Sequence, residues 1–184
     1  MAVVIDGSNG ISSPDYEVDG VTGQIYPIVR GAAVASTSGT SVDFTGIPSW
    51  VKRITVMFNG VSTNGSSLLR VQLGSGSVTT SGYLGASVGP TQSQTTTGVQ
   101  FASGFDVQPF SASASSVYVG TVVFTLVTSN TWSCFGIVTQ TGSVTAAVLG
   151  GAIPLGGTLD RVRITTVNGT DLFDAGSINI MYEG

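Results

Sequence analysis

The residues able to do chemistry are few and scattered along the chain. Gly85-Ala86-Ser87-Val88-Gly89 matches G-x-S-x-G, the pattern whose glycines permit a strained elbow that exposes a nucleophilic serine. Such a serine needs a base, normally histidine. The chain has no histidine, and its one lysine is Lys52. In a sequence this rich in glycine and serine the match is expected by chance, so no catalytic residue is assigned. A pair of carboxylates is enough to hydrolyse a glycosidic bond. Beyond residue 30 the candidates are Asp43, Asp106, Asp160, Asp171, Asp174 and Glu183, and sequence spacing does not place any two of them at a productive separation; so few carboxylates in one small sandwich argue against a depolymerase.

Metal and thiol chemistry fare no better. Asp6-Gly7-Ser8-Asn9-Gly10, with Glu17 at the twelfth position, is similar to a calcium loop. The glycine needed at the sixth position is Ile11, and Gly10 at the fifth has no side-chain oxygen, so the match fails. Asp171 and Asp174 flank Leu172-Phe173 and could share a cation, but a pair of exposed turn residues is the simpler reading. No metal and no cofactor are assigned. Cys134 is the only cysteine, so neither an internal disulfide nor a structural zinc cluster can form. In the strand-like run Trp132-Ser133-Cys134-Phe135-Gly136-Ile137 it reads as a small buried hydrophobe.

The aromatic rings are what remains for binding. A ring with an apolar face and a polar edge suits a sugar, and Tyr83 and Trp132 are the candidate ligand-binding residues. Core packing is the competing reading for both. It is preferred for Trp50, because Pro48-Ser49-Trp50 leads straight into a long strand. Asn64-Gly65-Ser66 and Asn168-Gly169-Thr170 are formal glycosylation sequons.

Composition narrows the classes further. The 184 residues suit one domain, and a hydrophobic content of 41% is enough for a core. Charged residues are only 9%, against about 25% in ordinary globular domains. Low charge weakens repulsion between copies and fits a protein that lives inside an assembly. The net charge is −4, and the six cations Arg30, Lys52, Arg53, Arg70, Arg161 and Arg163 are dispersed. They form no stripe able to neutralise phosphates, which excludes nucleic-acid binding. The N-terminus lacks the cationic start and apolar run of a secretory signal. The longest apolar run, Val117 to Val127, falls short of the about 20 residues a membrane-spanning helix takes. Synthesis in a cytoplasm, without membrane insertion, is expected.

The elements that must position these residues are strands. Residues 1–30 hold Asp6, Asp15, Glu17 and Asp19 with sparse apolar residues. They cannot bury enough area to fold alone and read as an extended N-terminal arm that orders on a neighbour. Residues 31–184 read as a single all-β domain, a β-sandwich of jelly-roll-like type. In Trp50–Phe58, Ile54, Val56 and Phe58 alternate with Arg53, Thr55 and Met57, the period-two pattern of a half-buried strand. Asn59-Gly60 is expected to close it as a tight turn, and this strand is expected to be central. Further strands are expected at Ala32–Ser36, Ser41–Phe44, Ser67–Leu73, Gly82–Val88, Val99–Ala102, Val117–Thr128, Trp132–Gln140, Val144–Leu149, Arg161–Val167 and Gly176–Tyr182. Ser129-Asn130 reads as a hairpin turn. Both faces of Val117–Thr128 are largely apolar, which predicts cover on both sides. Thr91–Thr97 is the most polar loop and is expected to be exposed.

Three blocks carry a resemblance. The first is Ser36 through Phe58, including Thr45-Gly46-Ile47-Pro48-Ser49-Trp50-Val51-Lys52-Arg53-Ile54. The second is Gly82-Tyr83-Leu84-Gly85. The third runs from Leu159-Asp160-Arg161-Val162-Arg163-Ile164-Thr165 through Asp171-Leu172-Phe173-Asp174-Ala175-Gly176-Ser177-Ile178-Asn179-Ile180-Met181-Tyr182-Glu183. Together they resemble the C-terminal domain that recurs in phage and prophage tail-fibre and related virion proteins. The resemblance implies a β-sandwich carried on a virion as a homotrimer, without a cofactor. It does not fix the role; the first expectation is an arm that docks on other virion proteins and a sandwich that contacts host cell-surface glycans. A capsid decoration (head fibre or cement) or tail adaptor with a purely structural role is the alternative. The resemblance supplies no ligand residues.

Overall fold

The computed structural model of the protein describes residues 28–91, 95–141 and 145–184, together with the backbone of four short strands nearer the N-terminus. Those four are β1 (Val4–Asp6), β2 (Gly10–Ser12), β3 (Tyr16–Val18) and β4 (Val21–Gly23); β1 pairs with β2 and β3 with β4, both antiparallel. The rest of the expected arm over residues 1–27 lies outside the described residues, as do residues 92–94 of the polar loop. The body follows with β5 (Val29–Arg30), β6 (Val34–Ala35), β7 (Ser41–Thr45), β8 (Arg53–Thr63), β9 (Leu69–Ser75) and β10 (Ser77–Val78). Then come β11 (Leu84–Pro90), β12 (Thr96–Gln100), β13 (Phe105–Asp106), β14 (Val117–Thr128) and β15 (Thr131–Thr141). The last three are β16 (Thr145–Pro154), β17 (Arg161–Thr166) and β18 (Phe173–Glu183). No helix occurs among the described residues, so the all-β reading holds.

Two antiparallel sheets make the sandwich. The larger runs β12-β11-β16-β15-β14-β8-β18-β5, with β6 also on β18. The smaller runs β10-β9-β17-β7, with β13 also on β9. Side chains alternate across each strand, and the inward set is apolar in both sheets. From the larger sheet Ile54, Val56, Tyr118, Val122, Phe124 and Leu149 point into the core; from the smaller, Val42, Leu73, Val71, Val162 and Ile164. Phe105, on the smaller sheet, ties the layers together. Its ring lies edge-on to Tyr83 at 4.8 Å and to Phe101 at 5.4 Å, and tilted against Phe124 of the larger sheet at 5.4 Å. Such geometry matches positive ring edges to negative faces.

The long strand over residues 53–63 is interior, flanked by β14 and β18. Its end differs from expectation. Asn59-Gly60 does not turn the chain; β8 continues through it to Thr63. Gly60 takes φ 68° and Gly176, across on β18, takes φ 89°, and the register shifts on both sides of β8. This is a β-bulge, where a left-handed glycine absorbs the extra residue. The hairpin turn at Ser129-Asn130 is present and joins β14 to β15.

The expected cover on both faces of Val117–Thr128 is not seen. Tyr118, Val122 and Phe124 are buried, whereas Val119, Thr121 and Val127 on the opposite face are exposed. Only one sheet packs against β14, and the alternation leaves its second apolar face outward.

Candidate functional site

Each residue singled out for chemistry has a structural place. Ser87 lies inside β11 with its side chain fully buried and its Oγ without a partner among the described residues. Its flanking glycines allow close backbone approach instead of forming an elbow. A Cβ on Gly85 would lie 2.2 Å from the Gly150 carbonyl oxygen, and one on Gly89 2.5 Å from that of Ala146. Cys134 is buried, and burial pushes its thiol up to about 12, so the reading as a small hydrophobe stands.

Tyr83 and Trp132, the two expected ligand-binding rings, are core residues. They are 3% and 2% exposed, so neither offers a face to a sugar. The Tyr83 hydroxyl accepts from the Leu73 N–H at 2.9 Å and donates to the Thr79 carbonyl at 3.0 Å. Burial pushes its phenol up to about 12. Trp132 sits in β15 between Leu126 and Ile153. A turn residue just after a hairpin looks exposed in sequence, yet alternation aims Trp132 inward. Trp50 is half-buried against Tyr182, ring centres 5.9 Å apart.

Asp171 and Asp174 do not converge on a cation. Asp171 accepts from the Ser67 N–H at 2.8 Å and from Asn168 Nδ2 at 2.6 Å. Asp174 accepts from the Ser62 hydroxyl. Among the described residues no group of three or more metal-ligating His, Cys, Asp or Glu side chains occurs. The two sequon asparagines lie in one interlocked pair of loops. Asn64 Oδ1 accepts from the Leu172 N–H at 2.9 Å, and Asn168 Oδ1 accepts from the Thr170 N–H at 3.0 Å.

The accessible polar site is on the outer face of the smaller sheet. The register sets Arg163 beside Asp43 and Gln72, and Thr165 beside Ser41 and Arg70. Ser41, Arg70, Gln72, Arg163 and Thr165 line a groove of about 240 Å³ that also takes in Thr40 and Asn168. Arg70 is held rigidly: its Nε and Nη2 donate to Asp106 at 2.6 and 3.2 Å, and its Nη1 to Ser103 Oγ at 2.6 Å. Gln72 Nε2 donates to the Ser103 carbonyl at 2.7 Å. Arg163 grips Asp43 through two bonds of 2.6 and 3.0 Å, and that pairing holds its guanidinium above its ordinary range. Planar guanidinium donors, hydroxyls and amides on a rigid sheet can bind hydroxyl- or carboxylate-bearing ligands without reacting with them. Sequence reading missed this groove, because its residues come from three strands far apart in the chain.

The specific resemblance blocks meet in space. Strand β7 of the first pairs with β17 of the third, and β8 with β18. The Ile47 N–H donates to the Asp160 carbonyl at 3.1 Å and the Lys52 N–H to the Glu183 carbonyl at 2.8 Å. Comparisons with protein-family models, with curated proteins and with solved structures gave no match.

Proposed function

We propose that this chain is a structural protein of a bacteriophage virion, with its sandwich acting as a receptor-binding tip against host surface glycans. The observation that carries this reading is the pairing of the two resemblance blocks. Residues on opposite sides of a long central segment build one continuous framework, as the blocks of one shared domain would. Nothing in that framework calls for a reaction; its outward polar groups are held in ion pairs and hydrogen bonds. In this reading the N-terminal arm docks on other virion proteins, the chain assembles as a homotrimer, and the groove around Arg163 faces the glycan.

Host cells would be incubated with the purified chain before and after periodate oxidation of their surface sugars. Binding that disappears after oxidation, and weakens with Arg163→Ala, supports the glycan role. Binding that survives oxidation, or none to any host cell, overturns it. A second reading, capsid decoration or tail adaptor, is favoured by the burial of Tyr83 and Trp132, which leaves the groove without an aromatic platform. Gold labelling of particles separates the two: label on the tail tip fits the first, label over the whole head the second.

A further inference from the structure

The outer face of β14, β15, β16 and β11 carries no charged residue, and its exposed apolar side chains are interspersed only with the hydroxyls of residues such as Thr121, Thr125, Ser133 and Thr139. Adjacent rows run Thr121, Ile137, Val148, Val88 and Val123, Phe135, Gly150, Ala86 across the four strands. Phe135 is 62% exposed, Ile137 50% and Leu84 67%. A trough of about 370 Å³ lies between Phe135, Ile137 and Val119. Four strands at about 4.8 Å spacing and roughly ten residues at about 3.4 Å rise give on the order of 600 Å². That sits at the upper end of the largest apolar patch of a typical monomer, ~300–600 Å², and near the ~800 Å² each partner brings to a standard interface.

We propose that this face is the surface through which copies of this chain associate. In the homotrimer proposed above three copies of this face would line the three-fold axis, and the inference rests on that reading only for the number of copies. An uncharged face calls for an uncharged partner, since a charge placed against it is desolvated without compensation. The surface of this size and character that is present wherever the chain is present is the same face on another copy. Like meets like here without charge repulsion. β5 is on the far edge of this sheet, beyond β8 and β18.

The full chain would be sized by light scattering at micromolar concentration. The expected mass is a multiple of 18.6 kDa, and the double variant Phe135→Lys with Ile137→Asp falls to the monomer with an unchanged β-type circular-dichroism spectrum. A wild-type monomer, including one that sediments with phosphatidylcholine vesicles, overturns the proposal, and so does a folded double variant that keeps its mass. Cross-linking guards against misfolding of that variant. Thr121→Cys, exposed beside the trough, is expected to give covalent dimers with a bis-maleimide at neutral pH, one reactive thiol per chain allowing no larger product, while Asp43→Cys on the other sheet gives none. Buried Cys134 does not compete, being almost wholly the unreactive thiol there. Absence of Thr121→Cys dimers counts against the proposal. Glycan binding plays no part in these readouts, so loss of the host-contact reading leaves them intact.

Discussion

The outer face of the smaller sheet and the outer face of β11, β14, β15 and β16 are built from the same kind of antiparallel alternating strand. One carries Asp43, Arg161 and Arg163; the other carries no charge. Their inward faces are equally apolar, so packing of the core does not require the contrast. On the proposed reading the difference reflects what each face meets: water and polar ligands on one side, a second copy on the other. The chain shows the same division in its order. From Val71 to Leu159 the only charged residue is Asp106, and it is buried against Arg70 on β9, the strand that pairs with β17 of the framework. The framework supplies register and ion pairs; the central segment supplies apolar area.

Cutting what ties the regions together should have the largest effect. Phe105→Ala removes the ring that bridges the layers and should cost about 3–5 kcal/mol. Arg70→Ala leaves the Asp106 carboxylate buried without its partner, and breaking such a pair costs about 3–5 kcal/mol. Both are read as a lower urea midpoint. A loss below about 1 kcal/mol for Arg70→Ala would mean water reaches Asp106, and the regions would be less firmly joined than the geometry implies.

The central segment should also be the alkali-sensitive one. Burial raises Tyr83 and Cys134 to about 12 and raises Tyr118 as well. Their protonated forms are favoured in the fold, so stability is fully present below the unfolded values, near 9 for the thiol and 10 for the phenols. It is lost as pH rises toward 12. Tyr83 alone should account for on the order of 2 kcal/mol across that window, and Tyr83→Phe should blunt the loss. With no histidine in the chain, no comparable step is expected between pH 5 and 8.

Gly85→Ala tests the close pairing of β11 with β16. Gly85 takes φ 123°, and a Cβ there would sit 2.2 Å from the Gly150 carbonyl oxygen. A cost of about 1–3 kcal/mol is expected from forced backbone shifts. Gly46→Ala is the control in the framework: its φ of 73° is also strained, but nothing lies within 4 Å, so its cost should stay near 1 kcal/mol.

Strand positions were legible because alternation is local: β7, β9, β14, β15 and β17 begin and end close to where apolar residues start and stop alternating. Four features were not. Asn59-Gly60 has the composition of a turn, and only the neighbours Val119 and Ser177 make it a bulge. The second face of β14 has the composition of a buried face, but burial depends on a layer the chain alone does not provide. Tyr83 and Trp132 have the chemistry of sugar platforms; the Tyr83 ring packs on Phe105, and strand alternation in β15 turns Trp132 into the core. The polar groove needed pairings between strands more than 90 residues apart, Arg163 with Asp43 and Gln72, and no spacing rule reports those.

The smallest effects should come from the charges that make the framework face distinctive. Asp43 and Arg163 pair at 2.6 Å, yet both side chains are more than a third exposed. In water such a pair gains little Coulomb energy over solvation and orders two side chains, so Asp43→Asn should cost less than about 1 kcal/mol. Asp160 behaves alike: hydrogen bonds from Arg161 hold its carboxyl below the ordinary range. A depressed carboxylate stabilises the fold above its unfolded value and stops doing so as pH falls through its folded one, so Asp160→Asn should flatten the stability profile only below about pH 4. If either substitution instead unfolded the domain, the charges would be part of the core's support. If both are mild while Arg163→Ala abolishes cell binding, those charges are there for what the face touches.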